Sequence, residues 1–211
     1  MRRANFAKNP PETDPFPNSR IDTKGNTPKG MTNITVFGGS QAKPGDQTYQ
    51  EAFLLGDLLG KAGYTVLTGG YIGVMEAVSR GAAESGGHVI GITCDEIERW
   101  RPVGPNPWVK EERRYPTLRQ RLFALIDTCD AAIAMPGGIG TLAEIAEIWS
   151  HVQSQSIAPR PIILVGAGWK QTMTTLFSAQ GDFIPLRYRE ILSFTDNSRA
   201  AVDLLNSLVT S

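Results

Sequence analysis

From residue 33 onward the chain alternates between two rhythms. Short, β-branched or continuously apolar runs stop at glycines, and longer runs repeat apolar residues at helical spacing. The first rhythm predicts strands over 33–39 ("NITVFGG"), 64–70 ("YTVLTGG"), 88–93 ("HVIGIT"), 130–135 ("DAAIAM"), 160–166 ("RPIILVG") and 190–194 ("EILSF"). The second predicts helices over 46–63, 73–87, 116–129, 140–154, 169–179 and 198–209. Gly63 and the Gly86-Gly87 pair terminate two of these helices, and Pro116 occupies a tolerated first-turn position.

Strands that are apolar throughout and alternate with helices predict a parallel sheet covered on both faces. The expected fold is therefore α/β, a Rossmann-like, doubly wound sheet over residues 31–211. Ligands in such sheets sit outside the carboxyl ends of the strands. The glycine turns at 38–39, 69–70 and 137–140 are thus expected to converge on one edge. Residues 1–30 carry five prolines and almost no apolar periodicity, and are expected to form an extended arm. The segment 94–115 holds Trp100, Trp108 and three prolines and is expected to be a long loop, either a binding edge or an ordered connection.

Composition narrows the function. With 41% hydrophobic and 20% charged residues, the 211-residue chain is ordinary for a soluble globular protein. Its 21 acidic and 21 basic residues cancel, which leaves no electrostatic footprint for nucleic acid or an anionic membrane. No apolar run approaches the roughly 18 residues of a membrane span, and the opening residues are not expected to act as a secretory signal. Two cysteines (Cys94, Cys129) and two histidines (His88, His151) lie too far apart for a zinc site of close-spaced ligand pairs. Reduced, buried thiols in a cytoplasmic protein without a metal are expected.

No turn carries G-x-G-x-x-G, and no G-K-[ST] is present, which argues against a dinucleotide-dependent dehydrogenase or a P-loop NTPase. The stretch "AMPGGIGTLAEI" (134–145) is more informative. Its glycines let backbone N–H groups approach an anion, and the helix amino end adds about half a positive charge. Thr141 is placed to cap the helix or to donate its hydroxyl. A phosphate monoester suits this turn. Glu144, three residues on, lies about 4.5 Å along the axis on nearly the same face. There a carboxylate would meet the sugar beyond a bound phosphate and favour positive charge at its anomeric carbon. A helix-dipole role for Glu144 is the plainer alternative. Arg119 and Arg121 flank the stripe Leu118, Leu122, Leu125, Ile126 and Cys129 on opposite sides, and periodicity does not choose which of them faces the cleft. His151 reads as a cation near a helix carboxyl end, and Glu147 as a solvated or interface carboxylate. Ile145, Ile148, Trp149 and Val152 form an apolar face expected at a homodimer interface.

From about Ile34 to Leu208 the chain resembles the Lonely Guy phosphoribohydrolases, a family often labelled lysine decarboxylases. The most specific element is PGGxGTxxE, unbroken here from Pro136 to Glu144. The family's arginine, in an M-x-x-R-K context, aligns without gaps with Arg121. The resemblance implies hydrolysis of the N-glycosidic bond of nucleoside 5'-monophosphates (AMP or adenine-substituted AMP) by a homodimer without organic cofactor or metal. It implies Arg121 and Glu144 as catalytic residues and Gly137, Gly138, Gly140 and Thr141 as the phosphate site. Gly39 and Ser40 in "VFGGS", and Gly70 and Met75 in "GGYIGVMEA", would line the nucleotide. Two positions depart from the family pattern. Leu122 replaces a lysine, and Tyr71 replaces the third glycine of a triplet. These departures keep open a second expectation, a non-catalytic carrier of a nucleotide or pterin-type cofactor on the same fold.

Overall fold

β1 (Asn33–Phe37) starts the pattern, and each later strand follows from a helix that recrosses the sheet. α1 (Gln47–Lys61) leads to β2 (Thr65–Thr68), α2 (Val74–Glu84) to β3 (His88–Cys94), and the short α3 (Asp95–Trp100) to β4 (Glu111–Tyr115). α4 (Leu118–Asp127), β5 (Ala131–Ala134), α5 (Ile139–Gln153), β6 (Ile162–Val165) and α6 (Ala167–Ala179) follow. A 3-10 turn (Gly181–Phe183), α7 (Leu186–Arg189), β7 (Leu192–Thr195) and α8 (Ser198–Val209) complete the chain. This computed structural model describes residues 32–209, so the arm expected over 1–30 lies outside the described residues.

The seven strands form one sheet in the order β4-β3-β2-β1-β5-β6-β7, and every neighbouring pair is parallel. Alternate strand residues face opposite sides, as the period of two requires. Ile34, Val36, Val66, Val89 and Ile133 pack under α1, α2 and α8. Leu67, Ile90, Ile92, Ala132 and Leu164 pack against α4, α5 and α6. The expected Rossmann-like α/β architecture is therefore the observed one. From β1 the chain winds outward to β4, then returns to lay β5 on the other side of β1. The loops after β1 and β5 consequently diverge from adjacent strands, which opens a crevice at their carboxyl ends.

The segment 94–115 differs from expectation, because α3 and β4 form within it. β4 reads "EERRY" and has no buried residue, so it carries no apolar run. It is an edge strand, where charged side chains guard an open ladder against other chains. α4 begins at Leu118 rather than at Pro116, capped by Thr117, whose hydroxyl accepts from the Gln120 N–H at 3.2 Å. Leu118 is therefore a first-turn residue and 49% exposed, not part of the buried stripe.

α1 and α2 pack backbone to backbone through glycines. A Cβ on Gly56 would come 2.1 Å from the Val78 carbonyl oxygen, and one on Gly81 would come 2.1 Å from the Phe53 carbonyl oxygen. Gly56→Ala recovers about 1 kcal/mol of helix propensity. It also forces apart two backbones that cannot yield locally, at about 1–3 kcal/mol or more. The expected outcome is a melting temperature several degrees lower, measured by circular dichroism. An unchanged or higher value would contradict the close approach.

Candidate active site

The crevice between β1 and β5 is lined by two glycine turns that touch. The Gly39 N–H donates to the Pro136 carbonyl at 3.1 Å, and a Cβ on Gly39 would lie 3.1 Å from the Gly137 Cα. Gly137 is itself hemmed in, because a Cβ there would come 2.2 Å from the Thr141 Oγ1. Glycine at 39 and 137 is therefore what lets the two loops meet. On the far side of the same loop, Gly73 takes φ 78°, and a Cβ there would sit 2.6 Å from the Ser40 Cα. Added Cβ atoms on Gly138 and Gly140 would meet nothing within 4 Å. That open side faces solvent, and the turn 136–140 is exposed.

α5 starts directly from this turn, with Gly138 at its cap position and no capping side chain. Its first intrahelical bond runs from the Leu142 N–H to the Gly138 carbonyl at 3.0 Å. The N–H groups of Ile139, Gly140 and Thr141 precede that bond and have no carbonyl one turn back. Thr141 is buried beside them, 4% exposed. Such a helix start, with its dipole, favours an anion.

One turn further in, Glu144 faces Arg121 of α4, with Oε1 3.8 Å from Nη1. Arg121 is 6% exposed and held on several sides. Its Nε donates to the Ile92 carbonyl at 2.7 Å, its guanidinium lies 5.8 Å from the Tyr71 ring centroid, and Nη2 is 3.9 Å from the Met75 sulfur. A Cβ on Gly69 would lie 1.8 Å from Nη2, so the glycine after β2 makes room for this side chain. Burial pushes the Glu144 carboxyl up to about 7, with Arg121 only partly opposing the shift. Near neutral pH the Glu144 carboxyl thus sits at the edge of ionisation.

The structure chooses between the two candidate arginines. Arg121 points inward, while Arg119 is exposed and stacks 5.6 Å from the Phe123 ring centroid. It brings together Gly39, Ser40, Gly137, Gly138, Gly140 and Thr141 around the β1–β5 crevice, and Arg121, Glu144 and Met75 behind it. Gly70 plays a different part. It takes φ 78°, packs on Gly91 and Thr93, and its carbonyl accepts from the Asn106 backbone N–H at 2.8 Å. Tyr71 is not an exposed stacking surface. It is 1% exposed, and its hydroxyl accepts from the Cys94 N–H at 2.8 Å and donates to the Cys94 carbonyl. Leu122 packs into the apolar cluster of the α4–α5–α6 face. Ile145, Ile148, Trp149 and Val152 are all buried in that same cluster, so the face expected at a dimer interface is core. His151 pairs with Glu147 at 3.2 Å along α5. Among the described residues, no group of three or more His, Cys, Asp or Glu could hold a metal ion. Sequence reasoning missed Asn106 and Arg101. Asn106 is 7% exposed and bonds the carbonyls of Gly70 and Tyr71, and Arg101 donates to Ser40.

A family model described as "Possible lysine decarboxylase" matches residues 75–205. The chain is 32% identical over 178 residues to "Cytokinin riboside 5'-monophosphate phosphoribohydrolase LOG3" of Arabidopsis thaliana, covering 82% of this chain and 80% of that protein. It is 30% identical over 179 residues to "Probable cytokinin riboside 5'-monophosphate phosphoribohydrolase LOGL3" of Oryza sativa subsp. japonica, covering 82% and 83%. Among solved structures, it is similar to the molybdenum cofactor binding protein of Rippkaea orientalis, with TM-score 0.67 and 25% identity. That similarity covers 85% of this chain and 98% of that one.

The raised Glu144 pKa makes a stability prediction with a definite sign. Between the ordinary value of 4.5 and about 7 the folded chain holds a proton that the unfolded chain releases, so stability falls as pH rises through that window. Glu144→Gln, neutral at every pH, does not suffer this loss. Its stability relative to the native chain is expected to improve by up to about 3 kcal/mol between pH 5 and pH 8. Denaturant melts of both proteins at the two pH values measure it, and a pH-independent difference would refute the shift.

Proposed function

The chain belongs to the Lonely Guy family, whose model carries the lysine decarboxylase description, and from that premise we propose that it hydrolyses nucleoside 5'-monophosphates. The bond cleaved is the N-glycosidic one, and the products are free base and ribose 5-phosphate. The observation that carries this reading is Glu144, its side chain only 15% exposed, set one turn inside an uncapped helix start and opposite Arg121.

The phosphate is held by the N–H groups of Gly138–Thr141 and the Thr141 hydroxyl, against the Gly39–Ser40 loop. The ribose then lies toward Glu144. As the bond between C1' and the base nitrogen lengthens, the electron pair leaves with the base and positive charge grows on the sugar. An ionised Glu144 stabilises that charge and orients the water that adds to C1'. The water's proton passes on to the departing base. Arg121 keeps a carboxylate tolerable in this dry position and offers its Nη groups to the substrate. Met75 and Tyr71 brace it.

A carrier of a nucleotide or pterin-type cofactor is the second reading, supported by the likeness to the Rippkaea orientalis protein. A carrier has less use for a carboxylate facing an anion site, which favours the hydrolase. Two buried, unpaired thiols, Cys94 and Cys129, support a reducing, cytoplasmic setting. A homodimer is part of the proposal, although the apolar face of α5 does not supply its interface. Trp100 at 79% and Ile139 at 82% exposure, each following the carboxyl end of a strand, are apolar surfaces available to one. Light scattering at micromolar concentration tests it.

Incubation with AMP and isopentenyl-AMP, followed by chromatography for free base and ribose 5-phosphate, tests the reaction. Release is expected from the native chain and should fall at least about 100-fold in Glu144→Gln. Since the carboxylate must be ionised, kcat/KM is expected to rise through about pH 7 and then level. The nucleotide phosphate titrates lower, near pH 6, so the position of that limb separates the two groups. AMP binding without release would favour the carrier.

A further inference from the structure

The lysine that the family pattern places after the catalytic arginine is Leu122 here, and its half-buried side chain packs against the apolar core. α4 therefore carries one cation, Arg121, where the family pattern has two. A different one stands at the rim of the site. Arg101 follows α3 and reaches across to the loop after β1, where its Nη1 donates to the Ser40 Oγ at 3.2 Å. Ser40 is the residue next to Gly39, and Gly39 is in backbone contact with Pro136 and Gly137. The guanidinium thus bonds the residue next to the one that touches the turn beginning α5.

Two features separate Arg101 from an ordinary surface arginine. Its Nε is buried and has no hydrogen-bond partner. Such a group is costly unless a ligand completes it. Among the described residues no carboxylate pairs with it, whereas Arg114 of the neighbouring β4 is ringed by Asp95, Glu98 and Glu112. Arg101 is also held in place. Its own N–H donates to the Ile97 carbonyl at 2.7 Å, and its guanidinium lies 5.7 Å from the Trp100 ring centroid. At the other end of α3, Cys94 is clamped by the Tyr71 hydroxyl, and the following loop is pinned by Asn106.

We propose that Arg101 is a phosphate-binding residue of this site, supplying from the α3 loop the cation that Leu122 has removed from α4. Its ligand is the 5'-phosphate of the nucleotide, gripped between the guanidinium and the N–H groups at the start of α5. The proposal rests on the nucleotide reading above, but concerns binding rather than bond cleavage. A planar guanidinium suits a phosphate through paired N–H donors, which an ammonium does not reproduce.

Titration calorimetry of the full chain with ribose 5-phosphate and with adenosine tests it, together with AMP kinetics. Arg101→Ala is expected to weaken ribose 5-phosphate binding roughly 10- to 100-fold while leaving adenosine within about twofold. KM for AMP should rise more than kcat falls, and Arg101→Lys should recover part of the affinity. Circular dichroism melts establish that both variants are folded. Unchanged ribose 5-phosphate affinity in Arg101→Ala, or an equal loss for adenosine, overturns the proposal. If the native chain binds ribose 5-phosphate through Arg101 yet releases no base, the hydrolase reading falls and the proposal stands. If the native chain binds no ribose 5-phosphate, both fall.

Discussion

A guanidinium ion that is 6% exposed imposes conditions on everything around it, and Arg121 is the constraint on which this site depends. A charge taken out of water must be met by acceptors, by π-density or by an opposite charge, or it is not tolerated. Each is provided by a different element. β3 gives the Ile92 carbonyl, the loop after β2 gives the Tyr71 ring and the space at Gly69, α2 gives the Met75 sulfur, and α5 gives Glu144. The arginine ties one face of the sheet to the loops at its carboxyl edge. It also explains why that edge is glycine-rich beyond the anion site itself, since Gly69 exists to make room for a side chain.

The same constraint sets the state of Glu144. At 3.8 Å the two groups are close enough to attract but too far apart for a good hydrogen bond. Burial therefore outweighs the attraction, and the carboxyl is pushed up to about 7 rather than down. A carboxylate that is barely ionised and poorly hydrated gains most when positive charge appears next to it. Charge developing on a ribosyl carbon is of that kind. A short, bidentate pair with Arg121 would have consumed the same carboxylate.

What was legible in the sequence was what local physics dictates. Strands buried on both faces announce themselves as continuous apolar runs, and the glycine turns mark where the chain must turn tightly or touch another backbone. What escaped depended on partners distant in sequence. β4 was hidden because an edge strand of charged residues has no apolar signal, and "EERRY" reads as part of a long loop until β3 pairs with it. Helical periodicity placed Arg119 and Arg121 symmetrically, and only the packing of α4 on the sheet separates them. Ile145, Ile148, Trp149 and Val152 were correctly read as one apolar face, but a face does not say what covers it. Here α4, α6 and the sheet cover it.

The two departures from the family pattern, Tyr71 and Leu122, belong to one rearrangement. With leucine at 122, α4 gains core packing and loses a cation. With tyrosine at 71, the loop after β2 gains a buried hydroxyl that accepts from the Cys94 N–H and donates to its carbonyl, at the residue where α3 begins. α3 is only six residues long, about 9 Å of helix, so fixing its start fixes its end within narrow bounds. Its end is where Arg101 leaves for Ser40. Tyr71 therefore does two things with one side chain, bracing Arg121 with its ring and aiming α3 with its hydroxyl. On this view neither substitution is a sign of decay. With Arg101 as the proposed phosphate ligand, a cation on a clamped loop takes the place of one on a core helix, and the part of the chain that must be ordered before binding changes with it.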